Sequence, residues 1–386
     1  MFYNHPEIIK TNKLLGDINR LVSPTKLLES ASEYIPKRLG ETLEVYSHRL
    51  KGLSVTPTFS TTLGLLVGRI RSSELIALRG NVTLPTESSR ELLNNLGLES
   101  LKTAIASHLL KYGRVLVAVN PLDGDKPPES IATVLDPTTL INRSQSEDFY
   151  VLSHQMYEST SPFNPVELKR YYTAYYGDRI ETYSDDFKLI ERVNTERQRL
   201  KLYTNTENWL GELAHPLAIA LFRIDSALLE ACSNMYIQRT LEIGGDDPFS
   251  FEPTTNNQHV IQGKFNFVES TGNVVSALKA IRDEISSSIK RVAGLDRNTE
   301  GTNLVSSGLS KQLDELRTNQ ILMSLGANTV DIINDILLRL GLPLSVGGLD
   351  NYDSTGILEM IDIATRIESL RPGSPKVDEL IALLEL

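Results

Sequence analysis

The sequence predicts an α+β fold in which helices bracket an antiparallel sheet, and three patterns predict it. Apolar residues recur at spacings of three and four through residues 4–50 and again through 88–112. After Gly113 the texture changes to short apolar runs separated by turn residues, with no stretch long enough for a crossover helix. Between Glu269 and Leu340 the pattern is an amphipathic helix, a loop poor in apolar residues and a longer amphipathic helix.

The helical part begins at Pro6, a residue suited to a first turn, with Ile9, Leu14, Leu15, Ile18 and Leu21 following. Ser23-Pro24 breaks and restarts the pattern, and Tyr34 to Pro36 marks another boundary before Leu39, Leu43, Tyr46 and Leu50. Residues 58–80 place Leu63, Leu66, Val67 and Ile70 around Gly64 and Gly68, a spacing that suits close helix packing. Leu92, Leu96, Leu101, Ile105 and Leu109 form a third helical block, which Gly113 ends.

Strands are expected at Arg114 to Asn120, Ile131 to Leu135, Phe149 to Tyr157, Val166 to Tyr176 and Ile180 to Tyr183. Lys188 to Tyr203 extends that meander or forms a hairpin arm. Tyr171, Tyr172, Tyr175, Tyr176 and Tyr183 suit a sheet, and the lack of interleaved basic residues favours packing over base stacking. Helix returns over 206–240, with Pro216 read as its start and Leu217, Leu221, Ile224, Leu228 and Cys232 on one face. A short, polar, strand-like piece at 249–268 precedes the next helix, 272–294, which carries Val274, Leu278, Ile281, Ile285, Ile289 and Val292. The long helix opens near Ser306-Ser307-Gly308 and carries Leu309, Leu313, Leu316, Met323, Val330 and Leu337, a run of about 50 Å. A turn at Gly347-Gly348 and short helices near 356–370 and 375–385 complete the chain.

Composition narrows the function. The 386 residues suffice for two or three domains, and 40% hydrophobic content against 23% charged content suits a folded chain. With 39 basic and 49 acidic residues the formal charge is −10, opposite to the basic excess of a protein that grips phosphates. The single cysteine, Cys232, excludes an intrachain disulfide. Met1 to Pro6 lacks the basic start and apolar core of a secretory signal, and no uninterrupted apolar run approaches the length of a membrane span.

No catalytic constellation emerges. The chain has no Gly-rich Lys-Ser/Thr phosphate loop, no Gly-x-Gly-x-x-Gly after a strand and no Gly-x-Ser-x-Gly elbow. Ser306-Ser307-Gly308 is better read as a helix start, since serine caps free backbone donors. None of the six histidines pairs with another at ligand spacing, so no zinc site is expected, and no cofactor is implied. Asp246-Asp247 could hold the metal of a nuclease, but before Pro248 they read as a solvated turn. Asn351, Asp353, Thr355 and Gly356 echo part of a calcium loop without completing it.

The order of elements resembles the portal (head-to-tail connector) proteins of tailed bacteriophages. The resemblance rests on an ordered set of features, no one of which is specific. They are Asn4 to Pro6, Tyr34 to Pro36, Tyr46 with Arg49, the Thr61 to Gly68 run, Tyr112 to Val117, Asp136-Pro137 with Leu140 to Asn142, His215 to Leu217, and Ser307-Gly308 with its helix. On this likeness 1–205 is a wing-like α+β region, 206–238 a first stem helix and 239–268 a short clip. A second stem helix at 269–294, a tunnel loop at 295–306, a long wing helix at 307–341 and a short, helical, crown-like region at 342–386 follow.

The resemblance implies a structural protein of the virion, placed at a capsid vertex and assembled in the host cytoplasm. Its copies would close into a ring of about twelve, through which double-stranded DNA passes without sequence recognition. Its partners would be the major capsid protein, terminase and adaptor or tail proteins, with no membrane involved. The tunnel-loop residues Arg297, Asn298, Thr299, Thr302 and Asn303 would touch DNA, and Lys279, Arg282, Lys290 and Arg291 would form charged belts on the second stem helix. Other readings are a different oligomeric virion scaffold or adaptor, or a metal-dependent nuclease using Asp246, Asp247 or Asp353.

Overall fold

A computed structural model describes residues 5–79, 82–83, 85–120, 131–144, 146, 148–158, 167–205, 209–237, 273–295, 308–350 and 352. In chain order the first elements are α1 (Pro6–Val22), α2 (Pro24–Glu29), α3 (Ala31–Tyr34), α4 (Leu43–Lys51) and α5 (Thr58–Ser72). Then come β1 (Leu75–Arg79), β2 (Val82–Thr83), α6 (Thr86–Asn95), α7 (Leu98–Tyr112), β3 (Arg114–Val119) and β4 (Ala132–Leu135). A short 3-10 turn (Pro137–Thr139) leads to β5 (Leu140–Arg143), β6 (Phe149–Glu158), β7 (Glu167–Tyr176), β8 (Arg179–Ser184), β9 (Leu189–Asn194) and β10 (Leu200–Thr204). The chain continues through α8 (Leu210–Ile237), α9 (Asn273–Val292), α10 (Gly308–Arg339) and β11 (Ser345–Gly348).

Two compact units form. One comprises Met1–Asn12, Leu63–Trp209 and Arg297–Leu386, and the other Lys13–Thr62 with Leu210–Asp296.

Among the described residues the first unit holds three antiparallel sheets in place of the single sheet expected. The meander is present as β5-β6-β7-β8-β9, each strand paired with the next in sequence. β10 leaves that meander and pairs with β3, which also pairs with β4. The third sheet, β11-β1-β2, was not foreseen: Gly347-Gly348, read as a turn in a helical C-terminal region, lies in a strand paired with Leu75 and Ile76. No local pattern announces a partner more than 250 residues away, as the pairing of Leu75 with Gly348 requires.

The core of this unit lies between the first two sheets, where Leu116, Leu140, Tyr150, Leu152, Leu200 and Leu202 cluster with Ile8. β3 supplies a continuous buried run, Val115-Leu116-Val117, as expected of a central strand covered on both faces. α7 packs on β3 and β4 and also against α10, burying Leu98, Leu101, Ile105, Leu109 and Leu110. The helical block expected over 88–112 is two helices, because Gly97 adopts φ 67° between them.

Polar side chains finish what the ladders leave open. Lys102, 1% exposed, donates from Nζ to the carbonyls of Arg71 (3.1 Å) and Ser73 (2.7 Å), satisfying oxygens at the C-terminal end of α5. Asn12 donates to the carbonyls of Thr138 (3.1 Å) and Leu140 (2.6 Å), and His5 N–H donates to Ile141 O, so the outer edge of β5 is occupied. Asn334 does the same for β11: it accepts from Val346 N–H at 2.7 Å and donates to Val346 O at 3.0 Å.

α10 buries Thr318, Leu322, Leu325, Thr329, Ile332, Ile333, Ile336 and Leu337. Met323, placed on the sequence-derived stripe, is 48% exposed, because a strict seven-residue spacing drifts around a 3.6-residue helix. Thr318–Arg339 is long and apolar enough to cross a membrane by composition, with mean hydropathy 1.4, although no uninterrupted apolar run signals it. Half of that segment is buried inside the protein, which accounts for its apolar character as core packing. Where α10 passes Leu349, Gly326 permits contact: a Cβ there would stand 2.1 Å from Leu349 O.

Helix propensity alone favours Gly326→Ala by about 1 kcal/mol. The backbone clash dominates, and the substitution is expected to destabilise the protein by about 3 kcal/mol in urea unfolding. Unchanged or raised stability would mean that α10 does not approach Leu349 this closely.

Candidate functional site

The second unit carries the candidate surface. It is built on α8 and α9, which pack together, and on α1 to α4. Its core includes Leu15, Ile18, Leu27, Tyr34, Leu221, Phe222 and Ile289, with Tyr34 and Phe222 edge to face at a centroid distance of 6.3 Å. Pro216, read as the first residue of a helix, lies inside α8, which begins six residues earlier at Leu210. Proline carries no N–H and therefore removes one rung of that helix.

Polar pins hold this unit. The Asp225 carboxylate, nearly buried on α8, accepts from Thr56 N–H at 3.0 Å. Thr58 and Ser286 hydroxyls meet at 3.0 Å, tying the start of α5 to α9. Arg223 donates to Tyr34 O at 3.0 Å, and Arg38 forms a two-pronged ion pair with Glu230.

α4 is held almost wholly by polar contacts, since none of its residues is buried. Arg49 donates from Nε and Nη2 to the two oxygens of Glu41, both at 2.8 Å, and also to Pro36 O at 3.0 Å. Tyr46 OH donates to Ile35 O at 2.7 Å. Hydrogen bonds from Arg49, then from the Arg38 N–H, hold the Glu41 carboxyl down to about 2. This staple fixes a stretch that presents Leu39 fully to solvent, with Leu43 75% exposed.

α9 is amphipathic as expected, but its stripe is covered unevenly. Ile289 is completely buried and Leu278, Ile285 and Val292 are half-buried, whereas Val274 and Ile281 are 57% and 44% exposed. Lys279, Lys290 and Arg291 are exposed on the same helix. Arg282 is half-buried and bonded to its neighbour Asp283 at 3.1 Å. Eleven residues bring Lys279 and Lys290 to nearly the same side of the helix, about 16 Å apart. The four basic residues therefore form two levels along α9 rather than one cluster.

Arg297, Asn298, Thr299, Thr302 and Asn303 lie outside the described residues, as do Asp246, Asp247, Asp353 and the 239–268 segment. Among the described residues no group of three or more His, Cys, Asp or Glu side chains could hold a metal ion. Sequence reasoning missed the Glu41–Arg49 staple. Its only trace was the pairing of Tyr46 with Arg49 in the same helical turn.

No protein-family model matches the chain, and no curated protein matches it at a significant level. Among solved structures it is similar to a chain from the neck of an empty gene transfer agent (GTA) particle computed with C6 symmetry. That match has 11% identity, covers 89% of this chain and 94% of that one, and has a TM-score of 0.41. It is also similar to a chain from the neck of a native GTA particle computed with C12 symmetry, at 12% identity, 84% and 89% coverage and TM-score 0.41.

A depressed carboxyl contributes stability above its unfolded value, and that contribution disappears as pH falls through its folded value. Wild-type protein should therefore melt higher than Glu41→Gln at pH 7, with the gap closing between about pH 4.5 and pH 2. Equal melting temperatures at pH 7 would show that the staple holds nothing.

Proposed function

We propose that this chain is the ring-forming portal of a tailed-phage-like particle, a structural protein with no chemistry of its own. One observation carries the reading: an apolar helical stripe that is buried at Ile289 and bare at Val274 and Ile281. Exposed apolar positions continuous with a packed stripe offer a second surface for packing. Further copies of the same chain supply a partner for it, and a head-to-tail contact that closes generates a ring.

Charge supports a passage rather than a grip. A ring of about twelve copies would carry roughly −120, which repels a polyanion on average. Lys279 with Arg282, and Lys290 with Arg291, would become two basic belts that meet phosphates weakly. Arg297, Asn298, Thr299, Thr302 and Asn303 would reach the DNA without reading its bases. The 239–268 segment would dock adaptor or tail proteins, and terminase would supply the motor.

Mass photometry and negative-stain microscopy at micromolar concentration should reveal closed rings of about twelve subunits around a central hole. Ile281→Asp should weaken those rings while leaving monomer stability within about 0.5 kcal/mol, because the side chain is already exposed. A monomer at every concentration would overturn the reading.

A further inference from the structure

The last turn of α10 and the turn into β10 gather four bases on an acidic chain. Arg197 donates from Nη1 to Arg339 O at 3.2 Å, capping a carbonyl at the end of α10. Lys201 Nζ lies 3.2 Å and Arg339 Nε 3.7 Å from the same oxygen of Asp335. Arg199 immediately precedes β10, and its C=O accepts from Val119 N–H at 2.8 Å, so the ladder already runs there. Leu200 and Leu202 face the core, which puts Arg199 on the opposite side with Lys201 and Tyr203, where those two meet α10. Strand and helix pass in opposite senses, Lys201 meeting Asp335 and Arg197 meeting Arg339, and this sets Arg199 beside the final helical turn.

The acids present do not match these bases. Asp335 Oδ2 accepts from Tyr203 OH and from Lys201 Nζ, and one carboxylate oxygen has two lone pairs. Arg339 Nε, at 3.7 Å, stands beyond hydrogen-bond length. Arg339 Nη1 is buried with no hydrogen-bond partner, and the Arg199 side chain makes no bond among the described residues. Glu196 in the same turn and Asp331 one turn back on α10 are exposed, and neither is bonded to any of the four bases. A buried guanidinium N–H without an acceptor carries a desolvation cost that nothing offsets. A water accepts that proton but leaves the charge uncompensated, whereas an anion does both.

We propose that this corner of the first unit is a binding site for a phosphoryl group, held by Arg339 and Arg199 with Arg197 and Lys201 at its margin. The donors come from two elements, α10 and the turn before β10, and so approach from different directions. A carboxylate offers two oxygens in one plane, which suits a single guanidinium fork. A tetrahedral phosphoryl group offers its oxygens around a centre and can serve several donors at once. The site lies within one unit and does not depend on ring assembly.

Isothermal titration of the whole chain with inorganic phosphate, at pH 7 and low ionic strength, is expected to show one saturable site with a Kd of about 1 mM. Arg199→Gln and Arg339→Gln should each weaken it about tenfold, while Lys279→Gln on α9 leaves it unchanged. The Arg199 side chain holds no described contact, so its variant keeps the test decisive if Arg339→Gln fails to fold. Competition by dimethyl phosphate would assign the group to a nucleic-acid backbone. Competition by phenyl phosphate alone would assign it to a monoester or free phosphate, and both outcomes support the site. Acetate binding as tightly as phosphate, heat that chloride reproduces at equal ionic strength, or an affinity that neither arginine variant lowers would overturn it.

Discussion

The first unit depends on how α10 is fastened along its second half. Three attachments lie within ten positions, Gly326 to Asp335. Gly326 admits the backbone of Leu349, Asn334 completes the edge of β11, and the Asp335 carboxylate receives Tyr203 OH and, at 3.2 Å, Lys201 Nζ from β10. Burial would push the Asp335 carboxyl upward, but the donors from Tyr203 and Lys201, with the nearby charge of Arg339, outweigh it and hold it below its ordinary value. Burial, followed by the bond to Asp335, raises the Tyr203 hydroxyl. One helix thereby binds two segments, Lys201 to Tyr203 and Val346 to Leu349, that are far apart in sequence, and a sheet as small as β11-β1-β2 would have little cohesion without it.

The second unit shows a different economy. Its helices pack through an ordinary apolar core, yet much of its periphery is pinned by charge, through Arg38 with Glu230 and Arg49 with Glu41. Exposed ion pairs contribute little to stability. Both pairs are two-pronged, and the Arg49–Glu41 pair is set apart by how little of it reaches water, 15% and 6% of the two side chains. Such pins orient a surface more than they stabilise a fold. The orientation they impose turns Leu39 and Leu43 outward rather than into the unit's core.

Much of this architecture could be read from local pattern. The stops at Ser23-Pro24, Tyr34 and Gly113, the buried strand at Val115 to Val117 and the strand break between Tyr176 and Ile180 all appear where residue chemistry demands them. What escaped was long-range. β10 continues the meander in sequence but finds its partner in β3, and β11 finds β1, because pairing depends on which edges remain free after the rest has folded. Pro216 misled for a local reason: its suitability for a first turn outweighed the weaker helical signal of Leu210 to His215. In the candidate surface the amphipathic stripe of α9 was legible. The burial of one end and exposure of the other was not, since periodicity carries no information about how far a partner helix extends.

Pro216 has one more consequence. The carbonyl one turn earlier, on Glu212, lacks the partner that any other residue at 216 would offer. A rod with a missing rung is most compliant there. Bending stress along α8 would be taken up first near its seventh residue, where a rung is missing.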